Sequence, residues 1–187
     1  YAMKEDTRED GPWERGECPK QGKRTDIERC LNTIVDNIGT KRPFRTAVQD
    51  HPNEMVKFHK GMQFCARQLI EDRDSLPEVH VLYGNTGSGK SRKAREECPE
   101  AWIWTPAMGQ WFDGYFGQEE AIFEEFRGQL PYATMLSVLD RYTHTAQVKG
   151  DTVAFVAKKI YITSPMHPDM WYPRQNEKHD SIMQLKR

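Results

Sequence analysis

Residues 79–91 read VHVLYGNTGSGKS, and the interpretation of the whole chain begins with them. The last eight of these residues fit the pattern G-x-x-x-x-G-K-S/T without a mismatch. The apolar residues Val79–Tyr83 predict a strand before the pattern, and residues 92–98 predict a helix after it, which is the context that a phosphate-binding loop requires. The stretch therefore predicts a strand, a phosphate loop and a helix within an α/β domain.

The residue types of this loop suit the triphosphate of ATP. Glycines let backbone N–H groups wrap around phosphate oxygens, and the amino-terminal end of the following helix adds positive potential. Lys90 is expected to reach the β- and γ-phosphate oxygens, and the hydroxyl of Ser91 is expected to bind Mg²⁺. The predicted ATP-binding residues are Gly84, Asn85, Thr86, Gly87, Ser88, Gly89, Lys90 and Ser91.

A pair of acidic residues follows another apolar segment. Ala121–Phe123 predicts a strand, and Glu124 and Glu125 come directly after it. Phosphoryl transfer needs a carboxylate on a neighbouring strand that holds Mg²⁺, often with a second one that orients the attacking water. We expect Glu124 to be the carboxylate that faces the metal and Glu125 to act as the general base. The first position of such a pair is usually Asp, whereas this chain has Glu at both positions. In a sequence that lacked the phosphate loop, the same two residues would be better explained as part of a solvated acidic turn.

The part of the chain before the loop is predicted to be helical. Apolar residues at helical spacing begin after Thr25, a predicted N-cap with Glu28 three residues later, and Gly39 is a plausible stop. A second helix, or a pair of helices, is predicted over residues 53–70. The charged and proline-containing residues 71–77 then indicate a boundary.

Beyond this boundary the pattern favours an α/β core with a parallel sheet, because short apolar strands alternate with helical or loop segments. The predicted strands cover residues 79–83, 101–104, 121–123 and 159–163, and a hairpin is predicted from residues 145–148 and 152–156. Four tryptophans are expected to be core residues rather than base-stacking platforms, namely Trp102, Trp104, Trp111 and Trp171.

Composition limits the classes of protein that fit. The chain has 187 residues and 27 Lys and Arg against 28 Asp and Glu, so nucleic-acid binding would need local basic patches. The four cysteines lie far apart without metal-ligand spacing, which favours free thiols in a reducing, intracellular compartment. The longest apolar runs cover only a few residues, so no membrane span or secretory signal is predicted.

Taken together, these segments resemble the replication-associated (Rep) proteins of circular single-stranded DNA viruses, the circoviruses and their relatives. A phosphate loop alone would be weak evidence for a family, but a series of motifs in the same order and spacing is specific. The matching stretches are Gly84–Ser91, Trp111–Tyr115 with Gly117-Gln118, Ala121–Phe126, Leu130–Tyr132, Asp140–Tyr142, Lys149–Val153, Ile160–Ser164, Trp171-Tyr172 and, upstream, Gln21–Asp26 and His51-Pro52.

The resemblance implies three regions. Residues 76–187 would form the core of a P-loop NTPase, a superfamily 3 helicase of the AAA+ class with a parallel sheet. Residues 19–75 would form a helical region that assembles a homo-oligomeric ring, expected to be a hexamer, and residues 1–18 would be the end of a rolling-circle endonuclease domain. ATP and Mg²⁺ are the implied cofactors, single-stranded DNA the implied partner, and the host nucleus the implied location. The arginine that would stabilise the transition state in a neighbouring subunit stays open among Arg127, Arg141 and Arg174.

Basic residues near turns are the candidate DNA contacts. Lys149 lies between the two segments of the predicted hairpin, and a lysine at such a tip can contact backbone phosphate without reading sequence. In the family this hairpin holds single-stranded DNA. Lys149 is therefore expected to contact DNA. Lys158 belongs to a basic patch of lower specificity and is a further candidate DNA contact, whereas Arg92, Lys93 and Arg95 fit a solvated helix face.

The start of the chain resembles the Y-x-x-K motif of the endonuclease, with Tyr1 and Lys4 in the motif positions and residues 13–17 as its usual sequel. In the family, the tyrosine attacks a DNA phosphodiester and retains the 5′ phosphate, and Lys4, one helical turn on, can face the same phosphate. Nicking also needs a divalent metal held by a His pair, but no His precedes His51, so this chain alone is not expected to nick DNA. A start at Tyr1 rather than Met leads us to expect a fragment of a longer protein.

One position departs from the family's pattern. Family members commonly carry Asn after the Ile-Thr-Ser strand end as a sensor of the γ-phosphate, whereas Pro165 has neither an amide side chain nor a backbone N–H. Three alternatives stay open: the hydroxyl of Thr163 or Ser164 substitutes as the sensor, hydrolysis is slow, or the segment is simply a rigid loop.

The leading hypothesis is an ATP-dependent helicase that translocates on single-stranded DNA. A P-loop kinase would share the loop but bind a small acceptor, and DNA would not stimulate its turnover. A catalytically inactive relic of an integrated virus, which only oligomerises or binds DNA, is favoured slightly by Pro165 and by the Glu at position 124.

Overall fold

The computed structural model describes residue 22 and residues 24–173. Tyr1, Lys4, Arg174 and the predicted endonuclease remnant at residues 1–18 lie outside the described residues. No helix among the described residues has the length and apolar character to cross a membrane. The elements in chain order are α1 (Thr25–Val35), α2 (Arg45–Asp50), α3 (Pro52–Gln68), β1 (Glu78–Tyr83), α4 (Lys90–Glu97), β2 (Trp102–Trp104), β3 (Glu120–Phe123), α5 (Tyr132–Leu139), β4 (His144–Val148), β5 (Asp151–Phe155) and β6 (Lys159–Ser164).

Four of the strands form one parallel sheet in the order β1-β6-β3-β2, and β4 and β5 form a separate antiparallel hairpin. The predicted α/β fold with a parallel sheet is confirmed, and the predicted strand boundaries agree with the observed ones to within one residue. One feature differs from the expectation. Because β6 pairs with both β1 and β3, the strand that carries the phosphate loop and the strand that carries the acid pair are not neighbours.

The two faces of the sheet are covered by different elements. Side chains alternate between the faces of a strand, so Trp104, Phe123 and Ile162 point into one aromatic-rich core, which also includes residues of α5 and the hairpin. Ile122 and Tyr161 belong to a smaller cluster on the opposite face, which contains Ala94 of α4. The tryptophan prediction is confirmed for Trp102, Trp104 and Trp171, which are buried, and Trp111 is half-buried.

Helices α1, α2 and α3 pack around a separate apolar cluster that includes Ile34 and Met62. Phe116, from the segment between β2 and β3, inserts its ring into this cluster. The buried side chain of Gln118 reinforces the contact, because its amide accepts from the N–H of Phe116 (2.7 Å) and donates to the carbonyl of Thr40 (2.9 Å). The helical region and the sheet region therefore share a packed interface.

The predicted cap of α1 is wrong. Thr25 is the first helical residue rather than the N-cap, which is Arg24, and no side chain caps the helix. The guanidinium of Arg24 instead donates to the carboxylate of Asp26, with Nη2 and Oδ2 2.6 Å apart. This pair ties the N-cap residue to the first helical turn and takes the place of the predicted capping box.

The predicted boundary at residues 71–77 is not a plain solvated linker, because Arg73 within it is buried. Its guanidinium donates to the carbonyl oxygens of Val138 (2.9 Å) and Asp140 (2.5 Å), and also to the carbonyl of Ala157. Desolvation lowers the pKa of Arg73, but four carbonyl oxygens that face its two terminal nitrogens, Nη1 and Nη2, compensate for the burial of the charge. A charged residue of the linker therefore joins the end of α5 to the start of β6.

Candidate functional site

The phosphate loop connects the end of β1 to the start of α4. Gly84, Gly87 and Gly89 have φ angles of 137°, 86° and 82°, a region that residues with a side chain rarely adopt. A Cβ atom built on any of the three would meet no heavy atom within 4 Å, so the space beside the loop is open. Gly89 is the N-cap of α4, and the positive end of that helix therefore lies at the loop. The loop has the geometry of an anion cradle.

Lys90, the first residue of α4, folds its side chain back over the loop. Its ammonium group donates to the carbonyl oxygens of Gly84 and Asn85, both at 2.8 Å, and contacts the hydroxyl of Ser88 at 3.3 Å. The Ser88 hydroxyl in turn donates to the carbonyl of Asn85 (2.9 Å). The ammonium group is thus held within the cradle, where it can meet a phosphate oxygen.

Glu124 directly follows β3 in the chain and faces helix α4, and its side chain is only 14% exposed. The guanidinium of Arg95 grips this carboxylate with two hydrogen bonds, from Nε to Oε1 (2.9 Å) and from Nη2 to Oε2 (3.0 Å). Hydrogen bonding to Glu124 raises the pKa of Arg95. Arg95 lies on the exposed helix face predicted for it, with 56% of its side chain exposed, but the prediction did not include its contact with Glu124. The signal that could have found it is its spacing of four residues from Ser91, which puts both side chains on one face of α4.

Glu125 is the one non-glycine residue among the described residues with a positive φ, at 51°. Its backbone is held on both sides, because its N–H donates to the hydroxyl of Thr163 (3.2 Å) and its carbonyl accepts from the amide of Gln129 (3.0 Å). Its half-exposed carboxylate pairs with Arg127 at 3.2 Å. A strained backbone at a candidate catalytic residue is typical of functional sites.

These contacts bring the loop and the acid pair to the same edge of the sheet. Arg95, four residues after Ser91 on α4, binds Glu124 at the end of β3. The turn that contains Glu125 is bonded to Thr163 of β6, and the next residue of β6 pairs in register with Tyr83, directly before the loop. The two sequence motifs therefore face one another across the end of β6.

The donor set at this edge fits Mg²⁺ bound together with a nucleotide. No group of three or more His, Cys, Asp and Glu side chains in the described part of the chain could hold a metal alone. Mg²⁺, however, is commonly bound by one or two carboxylates together with substrate phosphates and water. The hydroxyl of Ser91 and the carboxylate of Glu124 are ligands of the kind that such a site uses, and their binding of Mg²⁺ stays a prediction.

The two candidate sensor hydroxyls are fully buried at the end of β6. The hydroxyl of Thr163 accepts from the N–H of Glu125, as described above. The hydroxyl of Ser164 donates to the carbonyl of Met166 (2.8 Å) and accepts from the indole of Trp171 (3.0 Å). Thr163 therefore contacts the turn with the acid pair, whereas Ser164 anchors the segment after Pro165. Their role as sensors stays a prediction.

The two candidate DNA contacts lie in different places. Lys149 is at the tip of the β4–β5 hairpin, is 75% exposed, and pairs with Asp113 at 3.3 Å. Lys158 directly precedes β6, so it lies at the amino-terminal edge of the parallel sheet, opposite the phosphate loop, and pairs with Glu119. The hairpin predicted from the sequence is present, and its tip carries the expected lysine.

The candidate arginines for a neighbouring subunit are also separated. Arg127 pairs with the carboxylate of Glu125, beside the phosphate loop edge. Arg141 follows α5, with its guanidinium 5.9 Å from the ring of Tyr142, and Arg174 lies outside the described residues. The choice among them stays a prediction.

Comparison with known proteins identifies the middle of the chain as a helicase-type domain, because residues 80–167 match the model of the RNA helicase family. The chain is 34% identical over 155 residues to the replication-associated protein of Porcine circovirus 2, covering 81% of this chain and 48% of that protein. It is 37% identical over 155 residues to the replication-associated protein of Canary circovirus, covering 82% of this chain and 51% of that protein. It is 32% identical over 167 residues to the replication-associated protein of Human associated cyclovirus 1, covering 86% of this chain and 59% of that protein.

The chain spans about half the length of the curated relatives it matches. The similarity nevertheless extends well beyond the helicase-type domain, since it covers more than four fifths of this chain in all three comparisons. The resemblance drawn from the sequence motifs is confirmed, and the domain is of the helicase type.

Proposed function

This chain shares a helicase-type domain with the replication-associated proteins of circular single-stranded DNA viruses, and from that relationship we propose that it is the ATP-hydrolysing helicase part of a viral replication initiator. The observation that carries the proposal is the convergence of Lys90, Glu124 and Glu125 at one edge of the sheet. ATP and Mg²⁺ are its proposed cofactors, and single-stranded DNA is the strand along which it moves.

Each residue at this edge has a proposed task. Lys90 exchanges its bonds to loop carbonyls for oxygens of the β- and γ-phosphates. Ser91 and Glu124 would hold Mg²⁺, which would supply positive charge against the negative charge of the transferred phosphoryl group. Glu125 orients the attacking water and accepts its proton, and its clamped backbone keeps the carboxylate in place.

Lys149 is the proposed contact to the DNA backbone. It is an exposed cation at a hairpin tip, and a DNA phosphate would replace the carboxylate of Asp113 as its partner. Lys158 is proposed as a weaker contact, because it lies before β6 rather than on the hairpin. Contacts to backbone phosphate suit a protein that must pass any base.

Assembly, location and the nicking activity extend the proposal to the whole protein. We infer a homo-oligomeric ring, expected to be a hexamer, in which the helical region of α1, α2 and α3 contributes subunit contacts. The host nucleus is the proposed location, as the resemblance to nuclear-replicating viruses implies. Tyr1 and Lys4 would take part in DNA nicking only within a longer protein that supplies the metal site.

ATP turnover measured with and without single-stranded DNA tests the proposal. We expect DNA to stimulate turnover, and Lys90→Ala and Glu125→Gln each to reduce it at least about a hundredfold, as the loss of a charge-stabilising group or general base does in other enzymes. Lys149→Ala is expected to keep basal turnover but lose stimulation. Lys93→Ala is the matched control, because Lys93 lies on the exposed part of α4 and is expected to change neither quantity.

Three results would contradict the proposal. Turnover that ignores DNA would favour a kinase acting on a small acceptor. Absence of both turnover and Lys90-dependent nucleotide binding would favour an inactive relic. Equal loss of activity in Lys93→Ala and Lys90→Ala would show that the loop is not the site of the reaction.

A further inference from the structure

The contact between Arg95 and Glu124 occupies the carboxylate that the metal would need. Both oxygens of Glu124 accept from the guanidinium, at 2.9 and 3.0 Å, in the two-pronged geometry that matches a guanidinium to a carboxylate. Such a pair is more strongly oriented than a single-contact ion pair. The carboxylate therefore has one preferred direction, towards α4.

The position of Arg95 makes this contact relevant to the phosphate site. Arg95 lies four residues after Ser91, so the two side chains share one face of α4 about one helical turn apart. Side chains in a helix tilt towards its amino terminus, which is where Gly89 caps α4 at the phosphate loop. Arg95 thus holds Glu124 against the helix that carries Ser91.

The burial of the two partners is unequal. The side chain of Glu124 is 14% exposed, whereas that of Arg95 is 56% exposed. The carboxylate is confined by its surroundings, but the guanidinium sits at the surface on a long, flexible stem and can leave without opening the core. The guanidinium of Arg95 can therefore move away, whereas the carboxylate of Glu124 stays in place.

We propose that Arg95 is a positioning residue that competes with the divalent metal for Glu124, so that binding of the metal–nucleotide complex releases Arg95 from the carboxylate. This inference rests on the proposed function, because it concerns the same site. Before the metal arrives, Arg95 neutralises the half-buried carboxylate and keeps it aimed at α4. Metal binding would replace the guanidinium at this carboxylate, and the freed guanidinium would move out into solvent.

The competition has a measurable consequence. Removing the guanidinium leaves Glu124 without its cation, so less metal is needed to fill the site. Because Arg95 is mostly exposed, we expect a shift of about two- to fivefold in the required metal concentration, the range that partly exposed ion pairs produce. Arg95→Lys keeps the charge but loses the two-pronged contact, so its shift should lie between the parent and Arg95→Ala.

The experiment measures equilibrium binding of a fluorescent ATP analogue as Mg²⁺ is titrated, in a Glu125→Gln parent that does not turn over the nucleotide. Arg95→Ala and Arg95→Lys are compared in this parent. The matched control is Arg92→Ala, because Arg92 lies on the same helix, is 82% exposed, and pairs with Glu96 rather than with Glu124. We expect half-maximal binding at a lower Mg²⁺ concentration for Arg95→Ala and no shift for Arg92→Ala.

An unchanged or increased Mg²⁺ requirement in Arg95→Ala would overturn the competition. So would an equal decrease in Arg92→Ala, since the effect would then reflect the charge of the helix rather than the contact to Glu124. The parent separates the two proposals. If the parent binds the analogue and Lys90→Ala abolishes that binding, the nucleotide site stands, and an unshifted Arg95→Ala contradicts only the competition by Arg95. If the parent does not bind the analogue at all, both the proposed function and this inference are contradicted.

Discussion

Glu125 and Gly128 together set the course of the chain after β3. Glu125 takes a positive φ of 51° although it carries a side chain, and its backbone bonds to Thr163 and Gln129 compensate for the strain. Three residues later Gly128 turns with a φ of 83° under the backbone of Trp171. The turn is therefore pressed between the end of β6 and the segment that follows it, and this fixes where the acid pair points.

Gly128→Ala should be strongly destabilising for that reason. The new Cβ would lie 2.0 Å from the carbonyl oxygen of Trp171, so the backbone must move. We expect a loss of about 3 kcal/mol or more in the free energy of unfolding, measured by urea denaturation. Gly150→Ala is the control, because Gly150 has a similar φ of 82° but open space around it, and should cost only about 1–2 kcal/mol. Equal losses in the two variants would contradict the contact with Trp171.

The packing of α5 against the hairpin contains a titratable group. His144, the first residue of β4, lies with its Nδ1 2.9 Å from the hydroxyl of Ser137 on α5. Burial, with a smaller contribution from the charge of Arg73, lowers the pKa of His144. The unfolded chain therefore binds a proton more readily than the folded chain below about pH 6.5, the ordinary value for histidine. The contribution to stability is complete above this pH and is lost as the pH falls towards the folded-state pKa.

His144→Asn should reduce the acid sensitivity of the fold, because its amide can still meet Ser137 but cannot take up the proton. We expect the free energy of unfolding of the unsubstituted chain to fall between pH 6.5 and 5 with a slope from this group of at most about 1.4 kcal/mol per pH unit. Denaturant unfolding at several pH values measures the difference between the two chains. Parallel pH profiles would exclude His144 as the source.

The sequence predicts the elements of this fold better than the contacts between them. The phosphate loop, the strands and the hairpin tip at Lys149 follow local patterns of apolar residues and glycines, which is why their boundaries agree with the structure. The insertion of β6 between β1 and β3 joins segments far apart in the chain, and no local pattern encodes it. The contacts of Arg95 with Glu124 and of Arg73 with Val138 are not predicted for the same reason, because each partner is distant in the chain.

At the scale of the whole molecule, the helical region is connected to the hairpin through a short series of contacts. The ring of Phe116 lies in the helical cluster, with its centroid 4.8 Å from that of Phe44 and 5.7 Å from the guanidinium carbon of Arg67. Arg67 also pairs at 2.7 Å with Asp151, the first residue of β5 and two residues from Lys149. The region proposed to assemble subunits is thus in direct contact with the element proposed to hold DNA.

Phe116→Ala should loosen this connection without disturbing the phosphate loop. Removing a ring that is 3% exposed from an apolar cluster is expected to cost about 3–5 kcal/mol. The helical region should then be cleaved faster in limited proteolysis, while residues 78–172 stay protected. Phe64→Ala is the matched control, because this ring on α3 is 56% exposed and its loss should change stability by no more than about 0.5 kcal/mol. If both variants resist cleavage equally, the helical region is held by its own helices rather than by Phe116.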